Sequence, residues 1–363
     1  MRVLRWSLVA LAAVVLIGAG LWFGRGVLAE LAMGRVYDRA MRDDALTSLP
    51  DGLHVGLCGS GSPMPDPTRA GPCTAIVAGR RLFVVDSGEG SVRTLSLMNL
   101  PPAHVEALFL THFHSDHIAD VGELMLQRWA GGAATAPLPV YGPTGVDQVV
   151  NGFDAAYALD RGYRIAHHGP TVVPPTGFGG VAHPFAIDAR GPDVTLIDQP
   201  DLKVIAFPVD HGPVKPAVGY LFIYKGRRVV VSGDTAPTPW LEAEARGADV
   251  LVSEGLSPKL VAIQRRAALR NKRWNLAAIL HDILSYHTTP EQAAAEAERA
   301  KVKMLLFTHV IPPLPIGALS GPWLGAAPKI FHGRIRIGRD GDFVSLPAGS
   351  SAISVSRRLI AFH

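Results

Sequence analysis

Two patterns of apolar residues divide the chain. The first is one run near the start: residues 6–23 carry no charge and a single polar side chain, Ser7. As a helix this run would be about 27 Å long, close to the roughly 30 Å hydrocarbon core of a bilayer. The second pattern begins near Asp51 and continues almost to the end. Short apolar stretches of strand length finish on a His, an Asp or a glycine turn. Residues 54–57 run into the glycine-rich turn Cys58-Gly59-Ser60-Gly61-Ser62-Pro63. Residues 74–77 and 82–85 read as a hairpin ending at Asp86. Residues 105–110 deliver Thr111-His112-Phe113-His114-Ser115-Asp116-His117, and residues 204–208 deliver Asp210-His211-Gly212. A second hairpin, 218–224 with 228–232, delivers Gly233-Asp234-Thr235, and residues 304–307 deliver Thr308-His309.

Helical spacing follows at residues 118–129. Thr289-Pro290-Glu291-Gln292 has the residues of a helix start: Thr289 caps, proline suits the first turn, and Gln292 completes a capping box. Residues 151–192, rich in Gly, Pro and His, read as long loops. Two similar halves meeting near residue 195 predict two packed sheets with helices outside. The expected layout is a membrane anchor or signal segment at 1–30, a juxtamembrane linker at 31–50, a catalytic domain at 51–350 and a tail at 351–363.

Charge sets the expected compartment. Arg2, Arg5 and the amino terminus precede the apolar run and Arg25 follows it, while Trp6 and Trp22 stand near its ends. The positive-inside rule keeps the start in the cytoplasm and sends the rest across. Val27-Leu28-Ala29 would serve as a signal-peptide cleavage site, but the run is long for a signal core. The expectation is one uncleaved inner-membrane span with the catalytic domain in the periplasm; an exported soluble protein is the alternative. Net charge is +4, a mild excess that does not by itself indicate nucleic-acid binding. The two cysteines, Cys58 and Cys73, are too few for a disulfide scaffold or a thiolate metal site. They would pair in an oxidising compartment or lie as small buried residues on neighbouring strands.

The strand-end residues carry the chemistry. His112, His114, Asp116, His117, His211, Asp234 and His309 offer imidazole nitrogens and carboxylate oxygens, common zinc ligands. They suffice for two metal ions with one carboxylate left to bridge. Two such ions hold a hydroxide nucleophile and clamp both oxygens of a displacement. The turn 59–63 is no phosphate loop, because it lacks the Gly-Lys-Ser/Thr ending. A basic run between Lys259 and Arg273, on a segment that Ser257-Pro258 can start as a helix, would attract anionic substrates or form a solvated face.

These motifs resemble the metallo-β-lactamase fold, an α+β four-layer αββα sandwich, here with an N-terminal transmembrane helix. Within it they are similar to the branch shared by ribonuclease Z and the zinc arylsulfatases. The resemblance spans nearly all of residues 52–348. It implies one zinc on His112, His114 and His211, and a second on Asp116, His117 and His309, with Asp234 bridging and manganese as a substitute metal. It makes Asp86 a carboxylate that orients a ligand, and His287 the proton donor to the leaving group, with Asp116 and Glu254 completing the catalytic set. One departure stands out: the branch usually has His-Glu where this chain has Ser253-Glu254, which leaves the coupling of Glu254 to His287 open. Residues 65–72 look more like the arylsulfatase side. The expected function is therefore a dizinc hydrolase of sulfate or phosphate esters, with an anionic ester and the membrane as partners, no nucleic acid, and a homodimer allowed. The alternatives are a tRNA 3′-end endoribonuclease and a non-catalytic anion-binding module.

Overall fold

The computed structural model describes residues 2–42, 45–188 and 191–359, and the chain falls into two compact units, Met1–Ser48 and Leu49–His363. The first unit holds α1 (Arg2–Arg42) and the short α2 (Ala45–Ser48). No proline interrupts residues 2–42, so α1 runs unbroken through the boundary expected at residue 30. Within it, Ala10–Asp38 is long and apolar enough to cross a membrane, with mean hydropathy 1.9 and none of its most apolar window buried.

The second unit is built on two sheets. The first contains β1 (Gly52–Gly59), β2 (Cys73–Ala78), β3 (Arg81–Val85), β4 (Val105–Phe109), β5 (Leu138–Pro143) and β6 (Gly180–Phe185). The second contains β7 (Val194–Asp198), β8 (Leu202–Pro208), β9 (Val218–Tyr224), β10 (Arg227–Val231), β11 (Val250–Leu256), β12 (Met304–Ile311) and β13 (Arg334–Ile337). The chain then returns to the first sheet with β14 (Asp342–Pro347) and β15 (Ser354–Arg357). The strand orders are β15-β14-β1-β2-β3-β4-β5-β6 and β13-β12-β11-β10-β9-β8-β7. Each sheet passes from antiparallel hairpins to parallel strands: β3 pairs β4 parallel in one, β10 pairs β11 parallel in the other. The change from the first sheet to the second falls between β6 and β7, near residue 195.

Helices fill the connections. They are α3 (Ser91–Leu97), α4 (Ser115–Ile118), α5 (Val121–Leu126), α6 (Val146–His168), α7 (Pro239–Glu244), α8 (Pro258–Arg270), α9 (Trp274–Asp282), α10 (Pro290–Arg299), α11 (Ser320–Leu324) and α12 (Ala327–Ile330). Side chains alternate across each strand. Leu53, Val55, Phe83, Val85 and Phe109 therefore meet Tyr220, Phe222, Val229, Val231 and Val252 between the sheets. On the opposite face of the second sheet, Leu221, Leu251, Leu305 and Phe307 pack with Leu241 of α7 and Ala293, Ala294 and Ala297 of α10. The alanines let α10 approach closely. Its capping box forms as the sequence suggests: Gln292 donates its backbone N–H to Thr289 Oγ1, and Thr289 N–H donates to Gln292 Oε1. The layers are helix, sheet, sheet, helix.

Three expectations change. Residues 151–192 are not loops throughout, because α6 occupies their first half. Their prolines begin only at Pro170, and the side-chain sites at Gly152 and Gly162 face open space, so nothing stops the helix. The segment 351–363, read as a tail, contributes β15, which pairs with β14. The first sheet is not made of the first half alone, since β14 pairs with β1 from Gly52↔Pro347 to Gly56↔Phe343. Cys58 and Cys73, on adjacent β1 and β2, are disulfide-bonded.

Candidate metal centre

The strands place their polar ends along one edge of the sandwich. Asp86 follows β3 directly and takes a left-handed backbone, φ 58°. This unusual conformation for a non-glycine residue turns its carboxylate back under the next strand end. There Oδ1 accepts the Thr111 backbone N–H at 2.8 Å and Oδ2 accepts the Thr111 hydroxyl at 2.8 Å. Oδ2 also accepts Nδ1–H of His117 at 2.9 Å. With its hydrogen given to Asp86, Thr111 Oγ1 is free to accept from His112 Nδ1 at 3.1 Å. His211 Nδ1 donates to the Tyr286 carbonyl at 3.1 Å. Each of these bonds fixes the proton on Nδ1 and leaves the Nε2 lone pair facing the centre, the arrangement that metal-binding histidines use.

Those lone pairs converge. His112 Nε2 lies 3.0 Å from His114 Nδ1, and His211 Nε2 lies 3.3 Å from the same atom. His309, also in a left-handed conformation at φ 45°, brings Nε2 to 3.3 Å from Asp116 Oδ2 and 3.2 Å from Asp234 Oδ2. His117 Nε2 lies 3.4 Å from Asp234 Oδ2. Two groups of donor atoms, each within 4.8 Å of one another, emerge: His112, His114, His211 and Asp234, and then Asp116, His117 and His309. Asp234 touches both. The structure thus brings together all seven residues that the sequence singles out. Gly233 is needed beside Asp234, because a Cβ there would meet the Val218 carbonyl at 2.8 Å and Thr111 Cβ at 2.9 Å.

This donor set fits a pair of divalent cations. His117 Nε2 and Asp234 Oδ1, both turned to the centre, are buried and have no hydrogen-bond partner among the described residues. Burying that much unpaired polarity is costly without a cation to satisfy it. Burial pushes His112 well below its ordinary pKa and carries His211 down to about 4, so both are neutral, as ligation requires. Burial would raise Asp234, but His309 and His117 beside it hold the carboxyl well below the usual range.

His287 stands at the rim of the same cluster. Its ring centroid is 5.2 Å from that of His211 and 5.5 Å from that of His309. Nδ1 donates to Glu254 Oε1 at 3.0 Å, and the same oxygen accepts the backbone N–H groups of Thr235 and Thr288. The coupling left open by Ser253 is therefore present, because Glu254 reaches His287 from β11 without a histidine before it. Burial alone would push His287 down, but Glu254 and then Asp234 carry it up to about 9. Asp234, His287 and His309 also form a third donor group within 4.8 Å.

One buried brace escapes sequence reading. Asp340 accepts Ser60 N–H and Oγ–H, at 2.9 and 2.7 Å, and Ala70 N–H at 2.6 Å. It pins the loop 59–71 from the far end of the chain, a contact without local signal. That loop walls a cleft of about 920 Å³ that opens beside Asp116 and also takes in Arg93.

The beta-lactamase superfamily domain matches residues 81–310. The chain is 37% identical over 301 residues to a ribonuclease Z of Mycobacterium avium (strain 104), covering 82% of this chain and all of that protein. Among solved structures, it is similar to the short form of human tRNase Z, with TM-score 0.58 and 21% identity over 81% of this chain and 99% of that one. It is also similar to the metallo-β-lactamase fold protein YhfI of Bacillus subtilis, with TM-score 0.56 and 19% identity over 81% and 98%. These relatives bear out the ribonuclease Z side of the branch, and the arylsulfatase side has no support among them. The chain belongs to the beta-lactamase superfamily, in the ribonuclease Z branch of its metallo-hydrolase fold.

Proposed function

We propose that this chain is a metal-dependent phosphodiesterase acting on RNA in the manner of ribonuclease Z. The observation that carries it is the pair of donor groups sharing Asp234, set against the His287–Glu254 pair. Identity to ribonuclease Z over that protein's whole length supports RNA as the substrate. The aryl sulfate preference read from residues 65–72, and the expectation of no nucleic acid, both give way to it.

In this reading His112, His114 and His211 hold one divalent ion, Asp116, His117 and His309 the other, and Asp234 lies between; zinc suits these ligands. Such a pair supplies a water nucleophile at neutral pH and neutralises charge building on the phosphoryl oxygens. The chain's own contribution is position and proton. Asp86 and the Tyr286 carbonyl hold the ligand rings. His287, kept protonated by Glu254, gives its Nε2 proton to the departing ribose oxygen, a poor leaving group that needs an acid. Positive charge at the neighbouring donors would oppose the charged imidazolium and so lower its pKa from about 9.

A second reading rests on two features: the Cys58–Cys73 disulfide and the Ala10–Asp38 apolar stretch. Disulfides persist in oxidising compartments. An anchored hydrolase of small anionic phosphodiesters, facing the periplasm, fits both. Turnover of a precursor tRNA, a bis-aryl phosphate and an aryl sulfate, measured side by side on one preparation, separates the readings. Cleavage of the precursor tRNA at its 3′ trailer with the highest kcat/KM is expected. Turnover of the bis-aryl phosphate with intact precursor tRNA selects the second reading, and turnover of the sulfate alone overturns both.

A further inference from the structure

Between Glu254 and His287 the chain departs into α8 and α9, a helical hairpin whose surface is unlike the rest of the molecule. Residues 258–285 hold six of the chain's 35 basic residues and one of its 31 acidic ones. The remaining 29 basic and 30 acidic residues nearly cancel, so the net positive charge of the chain resides in this hairpin. Its inner side is closed: Val261, Ala268, Ala277, Leu280 and Ile283 pack with Leu256 and Ile311. Arg265 donates to the Ala277 carbonyl and ties the two helices together.

The outer side is open. Lys259, Ile263, Arg266 and Arg270 follow one another at helical spacing and are all exposed. Beyond the bend come Lys272, Arg273 and Trp274, with Ile279 five residues further along α9. Ile263 is 49% exposed, Trp274 61% and Ile279 55%. Among the described residues, none of these five outer lysines and arginines forms a salt bridge. Exposed apolar side chains grouped in this way mark an interaction surface.

We propose that the outer face of the α8–α9 hairpin docks on an anionic lipid surface. Lysine and arginine are drawn to negatively charged headgroups, and tryptophan settles at the level where headgroups meet acyl chains. Aliphatic side chains between the charges enter the acyl boundary, as on helices that lie in the interface plane. RNA would use the basic residues and stack on Trp274, but it has no use for Ile263 or Ile279. The long apolar stretch of α1 puts a candidate span in the same chain, which supplies the bilayer without a second protein.

The test uses the full chain with lipid nanodiscs made with and without phosphatidylglycerol, and reads backbone deuterium exchange across residues 258–285. Expected is exchange slowed several-fold by the anionic discs alone. The charge reversals Arg270→Glu, Lys272→Glu and Arg273→Glu together remove the effect, as does Trp274→Ser with Ile279→Ser. All these positions are exposed, and unchanged turnover of a small soluble phosphodiester in detergent confirms that the variants fold. The comparison holds whether or not α1 enters the disc, because it is made between two lipid compositions. The exchange readout itself does not depend on which ester the site cleaves. Equal exchange in both discs overturns the proposal. Protection that appears only with added RNA, or that rises with protein concentration in neutral discs, assigns the face to nucleic acid or to a second copy instead.

Discussion

The strand-end cluster and the α8–α9 hairpin break the usual sorting of residues in opposite directions. One buries histidines and carboxylates; the other exposes tryptophan, isoleucine and leucine. Each is unfavourable within the chain alone, and each points to something outside it. The cluster holds its polar atoms rigidly, with every Nδ1 of His112, His117 and His211 tied to a named oxygen. The hairpin ties down only its inner side. Rigid, converging lone pairs suit an ion, where fractions of an ångström matter; a loose field of charge and apolar bulk suits an extended, fluid surface.

The largest expected effect removes the shared carboxylate. Asp234→Ala is expected to lower bound metal and to reduce phosphodiester turnover by more than about 10²-fold, since even residues behind the ligands are worth 10- to 100-fold. Elemental analysis alongside kcat/KM checks this, and a variant with full metal and full rate would remove Asp234 from the centre. Next comes His287→Ala, expected to spare metal content while slowing cleavage of an alkyl phosphodiester by on the order of 10²-fold. A p-nitrophenyl ester, whose leaving group needs no acid, is expected to suffer far less. Equal losses on both esters would mean that His287 only binds. Asp86→Asn is expected to weaken metal affinity by about 10- to 100-fold, because His117 would lose the acceptor that orients it. Unchanged affinity in a chelator competition would contradict that role.

Glu296 sharpens the comparison from a third side. It is a buried acid away from the donor groups, accepting Thr238 N–H at 3.1 Å, with no partner for its other oxygen among the described residues. Burial raises its pKa from 4.5 to about 7. A folded-state pKa above the unfolded value means that its stabilising contribution is intact below pH 4.5 and is lost as pH rises through 7. Glu296→Gln is expected to flatten that part of the stability curve by at most roughly 3 kcal/mol. A denaturant series across this range reads it, and identical pH slopes in both proteins would show that Glu296 does not titrate there.

Much of the site is legible in the sequence because every ligand but His309 follows an apolar strand, and strand ends in such sheets converge on one edge; His309 instead lies inside β12, which runs on to Ile311. The string His112 to His117 and the residues Asp210-His211 and Asp234-Thr235 all lie where that rule puts them. The helix at Thr289 is equally local, set by its capping box. What escapes is long-range. Asp340 braces Ser60 and Ala70 from 280 and 270 residues away. β14 leaves the second half to pair with β1, and no neighbouring residue signals it. Helix α6 is hidden by averaging, since the prolines after residue 169 colour the whole stretch. The expectation of sulfate over RNA leans on the apolar run 6–23, which points to export, and on the loop 65–72; a membrane segment and one loop carry less about chemistry than a relationship spanning the fold.

The central claim is that the seven strand-end residues hold a pair of divalent ions. Elemental analysis of the full chain, purified without chelator and supplied with zinc, tests it most directly. Two ions per chain are predicted, falling below one in Asp234→Ala and unchanged in Cys58→Ala. A folded wild-type protein that binds none, and gains no activity from added zinc or manganese, would contradict the account at its base.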